Sequence, residues 1–154
     1  MIESLLVANR GEIARRIIRT ARRLGIRTVA VYSEADADLP FVREADEGVC
    51  IGPANPLQSY RNAEAIIAAA KSTRAKAVHP GYGFLAENAD FARTVTDNGL
   101  IWVGPGADAI TAMGDKINAR NVMAAAGVPV APGTTEPVTD AAAALAAADE
   151  IGDR

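Results

Sequence analysis

The segment His79-Pro80-Gly81-Tyr82-Gly83-Phe84 places an imidazole, a proline, two glycines and two aromatic rings in six positions. It lies between an apolar β-type run and a helical pattern. Glycines at such a junction let a ligand approach the backbone, and the start of the next helix favours negative charge. Tyr82 and Phe84 could wall a flat organic group; a rigid crossover would bury the same rings in a core. His79 reads as a structural hydrogen-bonding residue, because no acidic partner lies near it in sequence. Lys116, in Met113-Gly114-Asp115-Lys116, follows a helix-breaking glycine. A lysine near a helix start can bind phosphate as a point charge, although a lone lysine is ordinarily just solvated.

The second chemical stretch is Leu5-Leu6-Val7-Ala8-Asn9-Arg10-Gly11-Glu12-Ile13-Ala14. A short apolar run ends at Asn9, and a helical pattern begins at Gly11, the strand–turn–helix opening of a parallel α/β sheet. Helix N–H groups at the carboxyl end of a sheet are where such folds bind ligands. A dinucleotide fingerprint needs three glycines in G-x-G-x-x-G. Only Gly11 is present, flanked by Arg10 and Glu12, so the chain reads as a Rossmann-type architecture without the dinucleotide job. Glu34 and Asp36 stand near where a ribose-binding acid would be, and without the fingerprint they read as an ordinary acidic loop.

These groups need a scaffold, and the periodicity supplies one. Strands are expected over 2–7, 28–32, 47–51, 75–79 and 100–103. Helices are expected over 11–24, 60–73 and 85–97, with a helical turn at 41–45. Helix one carries Ile13, Ala14, Ile17, Ile18, Ala21 and Leu24 on one stripe and Arg15, Arg16, Arg19, Arg22 and Arg23 on the other side. The third helix should bury Leu85, Ala89, Ala92 and Val95. Helical pieces run over 107–113 and 116–126, Val130 to Gly133 is extended, and Asp140 caps an alanine-rich helix ending at Ile151. Strand–helix alternation through residue 103 predicts an α/β fold, a Rossmann-like doubly wound parallel sheet, followed by a C-terminal helical segment.

The chain has 154 residues and a net charge of −3, enough for one domain with a buried core. That charge gives no general attraction to nucleic acid, and no aromatic residues interleave the arginines of helix one. Their face is solvated or meets a partner. No apolar run approaches a membrane span, and the amino terminus is not a signal peptide. Cys50 is the single cysteine and His79 the single histidine. No intrachain disulfide or thiolate–imidazole zinc cage can form, which fits a cytoplasmic protein.

Taken together, Val7–Ala14, Ala45-Asp46-Glu47, His79–Asn88, Met113–Lys116, Gly127-Val128-Pro129 and Pro132-Gly133-Thr134 resemble the biotin carboxylase family, in order and over essentially the whole chain. The resemblance implies the pre-ATP-grasp, amino-terminal domain of such an enzyme, part of an acyl-CoA carboxylase (acetyl- or propionyl-CoA) or of pyruvate carboxylase. It implies that ATP and bicarbonate give carboxyphosphate and that biotin on a carrier protein is then carboxylated, with magnesium neutralising the phosphates. Lys116 resembles the family's ATP-phosphate lysine. Tyr82 and Gly83 resemble the biotin-side residues, with Gly83 letting the backbone come close to biotin. The Arg15–Arg23 helix resembles the region where two such subunits meet. A biotin carboxyl carrier protein or domain and a carboxyltransferase subunit are the implied partners; nucleic acid and membrane are not.

After Ile151-Gly152 the family continues into its ATP-grasp domain, and here Asp153-Arg154 closes the sequence. The resemblance places the glycine-rich ATP lid, the metal-binding carboxylates and a biotin-side arginine in that later part. The expectation is therefore one domain over 1–154, with no metal ligands or catalytic residues of its own and no activity alone. Two other readings stand beside it: a non-catalytic interaction module using the helix-one face, and a nucleotide-binding oxidoreductase domain.

Overall fold

In the computed structural model, which describes residues 2–152, apolar runs and helical stripes settle into two compact units, Met1–Ala107 and Asp108–Arg154. The first contains β1 (Ser4–Val7), α1 (Gly11–Arg23), β2 (Arg27–Tyr32), α2 (Pro40–Glu44), β3 (Glu47–Cys50), α3 (Ala63–Ser72), β4 (Ala77–His79), α4 (Ala89–Asp97) and β5 (Ile101–Trp102). All neighbouring strands are parallel, in the order β3-β2-β1-β4-β5. This is the doubly wound α/β sheet expected from the sequence.

Alternation along β1 explains the two layers. Leu5 and Val7 join Ala14, Ile18 and Ala21 of α1 and Phe41 of α2 on one face. Leu6 and Ala8 join Ile66 and Ala70 of α3 and Phe91 and Val95 of α4 on the other. Successive residues of a strand point to opposite faces, so a strand apolar at every position must be covered twice. At the outer edge, Asp46 accepts from the Thr28 amide at 2.7 Å and from its hydroxyl at 2.8 Å. Those bonds, the amide bond foremost, hold the Asp46 carboxyl below its ordinary pKa.

Two helices start later than periodicity predicts. Helix α3 begins at Ala63 rather than Tyr60, because Asn62 caps it by accepting from the Ala65 amide at 3.1 Å. Helix α4 begins at Ala89 rather than Leu85, because Asn88 accepts from the Phe91 amide at 2.8 Å. An asparagine at the cap satisfies a first-turn N–H that the helix leaves open. The α4 stripe shifts with it: Phe91, absent from the expected set, is buried, while Ala89 is half-buried. On α1, Leu24 leaves the stripe; it is the C-cap residue and is exposed.

The second unit carries α5 (Ala107–Gly114), which begins at the boundary, α6 (Lys116–Ala125) and α7 (Ala141–Ile151). Asp115 caps α6 through the Asn118 amide, and Asp140 caps α7 through the Ala143 amide. Asn121 donates to the Thr135 carbonyl at 3.0 Å, tying the segment that follows α6 back to it. Among the described residues no helix is long and apolar enough to cross a membrane.

Tyr60, expected inside a helix, instead lies before α3 with 0% of its surface exposed. Its hydroxyl donates to the Asp36 carboxylate at 2.7 Å and accepts from the Ser33 amide at 3.0 Å. Burial first, and Asp36 second, push the phenol pKa well above its ordinary value. Removing the hydroxyl strips a buried amide and a buried carboxylate of a partner. Tyr60→Phe is therefore expected to lower unfolding free energy by about 1–3 kcal/mol, as read by denaturant titration; unchanged stability would mean the network is idle.

Candidate functional site

Strand order reverses between β2 and β4, the neighbours of β1, and the carboxyl ends of β1 and β4 open at that switch point. The turn after β1 and the loop after β4 meet there. Asn9, fully buried, donates from Nδ2 to the Pro80 carbonyl at 2.7 Å and to the Tyr82 carbonyl at 2.9 Å. Its Oδ1 accepts from the Arg10 amide at 2.9 Å. Sequence reading missed Asn9 as a site residue. Its signal was there: a carboxamide directly following the apolar run Leu5–Ala8.

The loop is built on left-handed backbone at Gly81 (φ +67°), Gly83 (φ +68°) and Phe84 (φ +46°). Gly81 has a second reason to be glycine. A Cβ there would sit 2.7 Å from both Asn9 Nδ2 and Ile13 Cγ2. At Gly83 a Cβ would meet nothing within 4 Å, so that position faces open space. His79 Nδ1 accepts from the Gly81 amide at 3.0 Å, the structural role expected for it. Burial lowers its pKa.

The two aromatics divide. Phe84 packs on the core, its ring stacked on Tyr60 at 5.4 Å and 16°. The Arg10 guanidinium lies over both rings, 5.5 Å and 5.6 Å from their centroids. Arg10 also pairs with Asp36 at 3.5 Å. Asp36 is thus a correction to the acidic-loop reading: it is 8% exposed and serves Tyr60, Ser33 and Arg10. Tyr82 turns outward, 62% exposed, and its hydroxyl donates to Glu12. That contact raises the Tyr82 pKa. Its ring borders an apolar groove formed with Ile13, Ile17, Ile26 and Val103.

Lys116 is the first residue of α6, exposed, and belongs to the other unit. On α1, Arg15 Nε donates to both Glu44 carboxylate oxygens at 2.9 Å, and Arg22 donates to the Glu44 carbonyl at 3.2 Å. The Arg15 hydrogen bond holds the Glu44 pKa down. Among the described residues Arg16, Arg19 and Arg23 make no ion pair. Also among the described residues, no group of three or more His, Cys, Asp or Glu side chains could hold a metal ion.

This fold, with its glycine-rich loop clamped at a switch point, has close relatives. The model of the biotin carboxylase N-terminal domain matches residues 1–110. The chain belongs to that family. It is 59% identical over 140 residues to the biotin carboxylase of Allochromatium vinosum, covering 91% of this chain and 31% of that protein. It is 56% identical over 153 residues to the biotin carboxylase of Pseudomonas aeruginosa, covering 99% of this chain and 34% of that protein. Among solved structures, it resembles a Campylobacter jejuni biotin carboxylase in complex with β,γ-ATP, with a TM-score of 0.91 and 46% identity over 99% of this chain and 34% of that one. It also resembles the biotin carboxylase domain dimer of Hydrogenobacter thermophilus 2-oxoglutarate carboxylase, in complex with MgADP, ADP and bicarbonate. There the TM-score is 0.89 and identity is 48% over 99% of this chain and 33% of that one. The chain spans about a third of the length of these relatives.

The two glycines make a contrast that stability can read. Gly83→Ala should cost only the left-handed backbone, about 1–2 kcal/mol. Gly81→Ala should cost more, because its Cβ collides with Asn9 as well. Denaturant midpoints in the reverse order would show that the loop is not clamped as described.

Proposed function

We propose that this chain is the amino-terminal part of an ATP- and bicarbonate-dependent biotin carboxylase, which carboxylates biotin on a carrier protein or domain. In this reading it serves an acyl-CoA or pyruvate carboxylase with a carboxyltransferase component. The observation that carries the reading is the exposed Tyr82 on a clamped loop at the sheet's switch point, in a chain so similar to biotin carboxylases. A planar ring held open beside an apolar groove suits the flat ureido ring and aliphatic tail of biotin.

The residues present fit the implied groups unevenly. Tyr82 and the open space at Gly83 suit biotin. Lys116, exposed at a helix start, suits an ATP phosphate oxygen as a point charge. Magnesium finds no ligand cluster among the described residues, so no step through it is assigned to this chain, and activity is expected only in a protein that supplies the rest. Bound ATP and bicarbonate supply the activated carboxyl group; this chain's own part is to position. The contact with a second copy of the subunit is assigned to the α1 face that carries Arg16, Arg19 and Arg23, which make no ion pair among the described residues.

In a full-length enzyme carrying this chain, two variants should separate the two ligands. Lys116→Gln should weaken ATP by about ten- to a hundred-fold, the ~1.5–3 kcal/mol of a charge-assisted contact, with little change in melting temperature. Tyr82→Ala should raise the KM for biotin about tenfold and leave that for ATP nearly unchanged. Steady-state phosphate release checks both. Parent-like values in both variants would sink the reading.

A further inference from the structure

Asn9 is the one buried carboxamide at the mouth of the site, and neither the sheet nor α1 consumes its donors. It lies two residues beyond β1, and both of its amide hydrogens go to a loop some seventy positions away, to Pro80 and Tyr82. Among the described residues those two carbonyls have no other donor. The rest of the loop is closed locally: Ala86 donates to the Gly83 carbonyl at 2.9 Å, and Gly81 donates to His79 at 3.0 Å. Among the described residues Asn9 therefore makes the side-chain hydrogen bonds to the carbonyls on each side of Gly81. The fit is tight, since Gly81 must lack a Cβ for Asn9 to reach. Tyr82, by contrast, is exposed; beyond this backbone bond, its hydroxyl contact with Glu12 and its place beside the groove with Ile13 and Ile17 orient it.

We propose that Asn9 is a positioning residue for biotin carboxylation: its two donated hydrogen bonds set the backbone from which Tyr82 faces biotin. The proposal rests on the biotin-side reading of this loop. A carboxamide suits the task because it offers two donors on one nitrogen while its oxygen takes the Arg10 amide. Neither a carboxylate nor a hydroxyl reproduces that pattern.

The test uses a full-length biotin carboxylase carrying this chain. Asn9→Asp keeps the shape and turns an acceptor toward two carbonyls; Asn9→Ser loses the reach without burying a charge. Both are assayed for phosphate release with free biotin and with ATP as the varied substrate, beside Tyr82→Ala and the Asn9→Ser/Tyr82→Ala double variant. Both Asn9 variants should raise the KM for biotin by about tenfold and change that for ATP by less than about twofold. The double variant should be no worse than Tyr82→Ala alone, because Asn9 acts through the same ring. A parent-like biotin KM in both Asn9 variants, with a raised one in Tyr82→Ala, overturns the proposal and leaves the biotin-side reading standing. An unchanged biotin KM in Tyr82→Ala overturns both, whatever the Asn9 variants do. Equal rises for biotin and ATP, effects additive with Tyr82→Ala, or failure of both Asn9 variants to fold also overturn it, because Asn9 would then serve the fold and not the loop.

Discussion

A buried amide group must find hydrogen-bond partners, and Asn9 finds its own on a different strand's exit loop. That constraint organises the working end of the first unit. It sets where the loop after β4 can run and demands a glycine at 81. Next to it, Arg10 spreads over the Tyr60 and Phe84 rings and reaches Asp36. Two adjacent residues thus tie the exits of β1, β2 and β4 into one piece. The loop's apolar half is absorbed into the core, and its Tyr82 half is left to face outward.

In the same geometry, the positions that serve a dinucleotide in other sheets of this kind are taken up by internal contacts. Where that site needs glycines for backbone approach to a pyrophosphate, this turn has Asn9 and Arg10, each committed to internal contacts. The acid near the end of β2 is committed as well: Asp36 receives Tyr60 and Ser33 in a buried network. The residues that would have signalled that ligand class instead hold the loop after β4.

Much of the fold was legible because the sheet is covered on both faces. Continuous apolar runs such as Leu5–Ala8 and Val29–Val31 have few alternatives to buried parallel strands. The starts of α3 and α4 were not legible from periodicity, because Asn62 and Asn88 set the first turns by side-chain capping. At the site, residue types identified the loop but not its division of labour. Tyr82 and Phe84 look alike in sequence; the left-handed backbone at Phe84 sends one ring to Tyr60 and leaves the other outside. Asn9 and Asp36 were hidden for another reason. Their partners lie 71 and 24 positions away, and no local pattern reports a contact of that range.

In our reading, the first turn of this chain holds the loop against which biotin lies in the full-length enzyme. The most direct measurement is a crystal structure of the full-length protein with biotin, bicarbonate and MgADP bound. The biotin ring should lie in van der Waals contact with Tyr82, within about 4 Å, with both Asn9 hydrogen bonds to the loop intact. Biotin bound away from that loop, or a loop released from Asn9 when biotin binds, would contradict it.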